Sequence, residues 1–154
     1  MNIITCIVLI LLFITGREEP TVANEFGARQ AYELDANAFD DATLNLIRDR
    51  TGLALPPDIK GLNFHYYPPI DPGFAAKLEV SPASRQAVID MLSTVPNNAP
   101  HFASSYGSEL DWWDADRTAV VLGRRTNSGM GEFLKLILTE KDDRVLLYIG
   151  YGIK

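Results

Sequence analysis

The chain has 154 residues, 47% of them hydrophobic, and its 14 basic and 20 acidic side chains give a formal charge of −6. That length supports one ordinary hydrophobic core without a second domain. The acidic balance argues against a nucleic-acid partner, because binding phosphates needs a concentrated positive surface.

Ile3 to Ile14 is an almost unbroken apolar run. Twelve helical residues cover about 18 Å, well short of the roughly 30 Å of bilayer hydrocarbon. The length suits the apolar region of a secretory signal, and Thr21-Val22-Ala23 offers small residues before a cut after Ala23. No Lys or Arg precedes the run, which is unusual for such a signal. Residues 1–23 are therefore read as a signal peptide, with a membrane anchor through residues 3–14 as the alternative. Residues 24–154 form a single domain, expected in the periplasm or outside the cell. Cys6 is the sole cysteine and lies inside the run. Cleavage would leave no thiol, which excludes a disulfide scaffold, a thiol redox enzyme and a cysteine hydrolase.

Asn24 to Asp35 is weakly periodic and reads as a lead-in or a short helix. Asp35 or Asp40 caps a helix with Phe39, Thr43, Leu46 and Ile47 on one face, ending at Gly52. Leu53 to Asp58 is extended, because residues before proline avoid the α region. Ile59 to Tyr67 is a strand with Leu62, Phe64 and Tyr66 on one face and Asn63, His65 and Tyr67 on the other. Pro68-Pro69 ends it. After the turn at Pro72-Gly73, Phe74 to Val80 alternates cleanly at period two. Ser81-Pro82 opens a second helix with a serine cap and proline in its first turn. Its stripe is Ala87, Val88, Met91, Leu92 and Val95.

Asn97 to Arg117 reads as irregular. Thr118 to Leu122, Glu132 to Glu140 and Arg144 to Gly150 are strands, the last two joined by a tight turn at Lys141-Asp142-Asp143. Arg124 to Gly131 links the first of them to this hairpin. The predicted fold is α+β: a single mostly antiparallel sheet of about five strands with two helices packed on one face.

Three phrases carry a resemblance. They are Thr51-Gly-Leu-Ala-Leu-Pro-Pro57, Ile70-Asp-Pro-Gly-Phe-Ala-Ala-Lys-Leu-Glu-Val80 and Asp111-Trp-Trp-Asp114. Over roughly Leu53 to Ile153 the chain resembles small uncharacterised bacterial exported or lipid-anchored α+β proteins. The resemblance implies an envelope-associated domain and transfers no catalytic residue.

The chemistry-bearing residues give few patterns. His65 and His101 are 36 positions apart and form no metal-ligand spacing. Glu109, Asp111, Asp114 and Asp116 lack the twelve-residue spacing of a calcium loop. Gly123 to Gly131 matches neither a phosphate loop nor a dinucleotide fingerprint, and no serine sits in a nucleophile elbow. No cofactor or metal is expected. The adjacent Trp112 and Trp113 would face opposite ways on extended backbone, one anchoring the loop and the other meeting solvent or a partner.

The expectation from sequence is an exported, non-enzymatic domain that binds another envelope or secreted protein, as an inhibitor or immunity protein does. The candidate surface is Tyr106, Trp112, Trp113, Asp114, Asp116, Arg124 and Arg125, with aromatic burial inside an acidic rim that suits a basic partner. Two alternatives stand beside it: an envelope hydrolase using His65 or His101 with nearby carboxylates, and a structural or accessory envelope protein.

Overall fold

A computed structural model describes residues 30–68, 70, 72–99, 106–128 and 131–153. The apolar run at 3–14 and the cut after Ala23 lie outside the described residues. Among the described residues no helix is long and apolar enough to cross a membrane. In chain order the elements are β1 (Tyr32–Asp35), α1 (Asp41–Thr51), β2 (Lys60–Tyr67), β3 (Gly73–Val80), α2 (Arg85–Thr94), β4 (Ala119–Asn127), β5 (Glu132–Lys141) and β6 (Arg144–Ile153). Short 3₁₀ turns at Pro82–Ser84 and Ala115–Arg117 precede α2 and β4.

Local chemistry sets the helix ends. Asp40, in extended backbone, accepts hydrogen bonds from the Thr43 N–H at 2.8 Å and the Thr43 hydroxyl at 2.7 Å. It therefore caps α1. Asp35 instead closes the turn after β1, accepting from the N–H groups of Asn37 and Ala38 at 2.9 and 3.1 Å. Gly52 ends α1 with φ 67°, a left-handed geometry that glycine adopts without a Cβ penalty. Ser81 accepts from the Ser84 N–H at 3.2 Å, so the serine cap starts a 3₁₀ turn and the α-helix follows at Arg85. Within the predicted stripe, Ala87 is exposed, whereas Ile89 packs against the core.

All five strand ladders are antiparallel, in the order β1-β2-β3-β6-β5-β4. Two three-stranded meanders thus meet where β3 pairs with β6. Asp142 and Asp143, both at positive φ (51° and 61°), sit between the paired Lys141 and Arg144. This is the two-residue turn whose twist matches the strands. The sheet has six strands rather than about five, because Tyr32–Asp35 pairs with Asn63–Tyr66. Strand β4 continues through Arg124 and Arg125 to Asn127, so part of the expected connection is strand.

The two faces carry separate apolar layers. On one, Leu44 and Ile47 of α1 and Val88 and Leu92 of α2 cover Phe64, Phe74, Leu78, Leu138, Leu147 and Ile149. On the other, Trp113 and Ala115 cover Ala75, Ile137, Leu146 and Tyr148. Leu62 departs from the predicted pattern. The β2–β3 register shifts between Gly61 and Asn63, and this bulge places Leu62 with Tyr67 on the second face. One extra residue in a period-two strand reverses the facing of everything before it.

Candidate functional site

Residues 106–118 cover the second face with little regular structure, so polar anchors must fix their path. Asp114 is the main one. Its carboxylate accepts from Lys77 Nζ at 2.7 Å, from Lys141 Nζ at 3.0 Å and from the Tyr148 hydroxyl. The three donors come from β3, β5 and β6, so one side chain ties the loop to three strands. Burial opposes ionisation of Asp114, but these hydrogen bonds outweigh it and hold the carboxyl well below the usual carboxylate range. Burial, then the bond to Asp114, pushes the Tyr148 hydroxyl above its ordinary value. Lys77 also donates to the Trp112 carbonyl at 3.2 Å.

The aromatic candidates divide. Trp113 is 5% exposed and meets the Tyr148 ring nearly edge-on, with centroids 5.3 Å apart. Gly107 lies beneath it: a Cβ there would fall 2.3 Å from Trp113 Cε3. Tyr106 is 8% exposed and packs between Tyr67 and Phe133 at centroid distances of 4.6 and 4.8 Å. Tyr67 accepts from the Gly107 N–H at 2.9 Å and donates to Glu109. Burial, then that carboxylate, raises its pKa. Only Trp112 stays half-buried. In this arrangement Tyr106 and Trp113 are core anchors that present little area to a partner.

Lys135 is 4% exposed, with its ammonium 5.2 Å from the Trp113 ring centre. Burial lowers its pKa; the charge of Asp116 opposes that shift and the charge of Arg125 adds to it. Asp116 itself is exposed.

Arg124 and Arg125 lie on β4, an outer strand of the sheet. Consecutive strand residues face opposite ways. Arg125 stands opposite Lys135 on the loop face, and Arg124 opposite Leu136 on the helix face. The far end of this edge is covered. Arg125 N–H donates to Asn97 Oδ1 and Asn127 N–H to Asn98 Oδ1, both at 2.9 Å, and Ala99 N–H reaches the Arg125 carbonyl at 3.0 Å. The near end is open: Val120 and Val121 are 56% and 38% exposed. Beside them a recess of about 340 Å³ is lined by Asn97, Asp116, Val120, Gly123, Arg124, Arg125, Leu136 and Ile137. Gly123 leaves room in it: a Cβ there would meet only the Leu136 carbonyl, at 4.0 Å. The structure thus brings Asp116, Arg124 and Arg125 to one recess, whose lining does not include Tyr106, Trp112, Trp113 or Asp114.

His65 Nδ1 lies 2.7 Å from Glu33 Oε1 across the β1–β2 ladder, with its ring against Tyr67 at 4.4 Å. His101 is outside the described residues. Among the described residues no group of three or more His, Cys, Asp or Glu side chains is placed to hold a metal ion. Sequence reasoning missed Lys77 and Tyr148 as partners of Asp114, and Val120 and Val121 as exposed apolar positions. The alternation on β3 places Lys77 on the loop face, but only the fold shows what it meets there.

Comparison with protein-family models, with curated proteins and with solved structures finds no match for this chain.

Proposed function

We propose that the chain is an exported, non-enzymatic domain that binds another protein through the open part of β4 and the recess beside it. One observation carries the reading: two exposed valines sit on an outer strand next to a recess edged by two arginines. Exposed apolar residues beside an open strand edge are a liability unless something covers them. This moves the contact surface from the aromatic loop to the sheet edge and keeps Asp116, Arg124 and Arg125 within it.

The hydrolase alternative has the His65–Glu33 pair behind it, a histidine oriented by a carboxylate. No described hydroxyl or thiol hydrogen-bonds to that ring, so the pair lacks the nucleophile contact that triad-like chemistry uses.

The test is affinity capture with the full chain from the envelope fraction of its native host. Gly123→Trp fills the recess at a position with room for a side chain. A stoichiometric partner held by the wild type and by Trp112→Ala, and lost with a folded Gly123→Trp, is the expected result. Capture that survives Gly123→Trp and fails with Trp112→Ala would return the surface to the loop. No partner with any form would remove the reading.

A further inference from the structure

Resting on that reading, we propose that β4 takes up its partner as an added antiparallel strand, and that the incoming strand is acidic. The backbone supports the first half. Arg125 and Asn127 already turn their N–H groups outward, to Asn97 and Asn98, so this chain itself continues the hydrogen bonding past β4 at that end. The same alternation turns Gly123 outward. Across the register shift between Val120 and Leu122, Val120 turns outward as well. Apart from the ladder to β5, the hydrogen bond found at Ala119–Gly123 among the described residues is that from Arg124 Nη1 to the Gly123 carbonyl, at 3.1 Å. The edge is therefore half closed by an internal segment and half open, and the open half is its apolar half.

Charge supports the second half. From Arg117 to Gly131 the chain has three arginines (Arg117, Arg124 and Arg125) and no acidic residue, although the whole chain carries −6. Asp116 at the recess faces the charge of buried Lys135, which offsets its repulsion toward an incoming carboxylate. On an added strand, side chains directly opposite β4 residues project to the same face. A glutamate opposite Arg124 would meet its guanidinium on the helix face, and the residue opposite Gly123 would enter the recess. Arg125, whose own edge is taken by Asn97 and Ala99, adds positive charge beside the open half. A second copy of this chain fits less well. Pairing two β4 edges brings the stretch 117–125, with three arginines and no acidic residue, against its own copy, and like charges facing each other are destabilising. Added-strand recognition draws affinity from main-chain hydrogen bonds and specificity from side chains.

The test uses the full chain and two capped heptapeptides, one alternating glutamate with valine and one alternating lysine with valine. Titration followed by calorimetry reads affinity, and amide hydrogen exchange reads the backbone. The glutamate peptide is expected to bind about tenfold tighter than the lysine peptide or better. Its binding should slow exchange at Val120 and Gly123 and leave β1 unchanged. The charge preference should reverse in an Arg124→Glu, Arg125→Glu variant. Equal affinity for the two peptides would overturn the acidic assignment. Unchanged exchange at Val120 and Gly123 under saturating peptide would overturn strand addition, while capture lost with Gly123→Trp would still uphold the recess as a binding surface. Slow exchange without peptide, accompanied by a doubled mass in sedimentation, would overturn the proposal in favour of self-pairing.

Discussion

On the helix face, α1 and α2 press Leu44, Ile47, Val88 and Leu92 onto Phe64, Phe74 and Leu147, and among the described residues the ion pair that ties α2 to the sheet, Arg85 with Glu140, is exposed rather than buried. The opposite face is covered by residues 106–118, which lack the repeating geometry that lets a helix present one apolar side. There the apolar layer is small, centred on Trp113 and Tyr148, and a half-buried carboxylate with two lysines and a tyrosine fixes the loop. A helix brings its own backbone hydrogen bonds and needs only an apolar stripe. An irregular cover has unspent orientational freedom and needs directional contacts to remove it.

This contrast can be broken by substitution. Trp113→Ala should cost the most, about 3–5 kcal/mol in urea unfolding, because it deletes the centre of the loop-face layer. It should also speed amide exchange across 106–118 well before α1 and α2 respond. Leu92→Ala on the helix face should cost about 3 kcal/mol with exchange rising across the whole sheet, since the apolar layer it belongs to draws on all six strands. A local effect from Leu92→Ala, or a global one from Trp113→Ala, would erase the distinction between the faces.

Asp114→Asn is the next smaller step, about 2 kcal/mol, as it leaves Lys77 without a charged partner in a partly buried site. The same group makes a pH prediction. Its folded pKa is depressed, so its contribution is complete above the unfolded carboxylate value of about 3.9. That contribution is lost as the pH falls from there through the folded value. Urea midpoints compared at pH 7 and pH 3 should drop less in Asp114→Asn than in the wild type; an equal drop would show that other carboxylates dominate acid unfolding. Smallest is Asp40→Ala, about 1 kcal/mol through loss of the α1 cap, with no change in exchange at 106–118.

The parts of the fold that follow from neighbouring residues were readable in advance. Gly52, Ser81-Pro82 and the alternation from Phe74 to Val80 gave helix ends and a core strand. Strand β1 was hidden because Tyr-Glu-Leu-Asp is too short for a periodic signal and is ordered by pairing with β2. The continuation of β4 was hidden because Arg124, Arg125, Thr126 and Asn127 are polar, as an outer strand permits. Leu62 lies on the face opposite to the one its alternation predicts, because a bulge leaves no mark in composition. Of the site, Asp116, Arg124 and Arg125 were named from the sequence. Their common recess is not legible there, since its lining includes Asn97, folded back from 26 positions before Gly123. Likewise Asp114 meets partners 37, 27 and 34 positions away, a clustering that local sequence does not express.

The strand order also has a consequence for synthesis. Strand β6 lies between β3 and β5, so the strand that joins the two meanders is the last of the six to leave the ribosome. Until residues 144–153 emerge, β3 has an unmatched side with Phe74, Ala76 and Leu78 on its core face, and β5 has another. At about 5–20 residues per second, translation from Val80 to Ile153 takes roughly 4–15 s, an interval during which the first half of the chain waits without its neighbour. Strand β3 therefore gains its second neighbour only when nearly all of the described chain has been made.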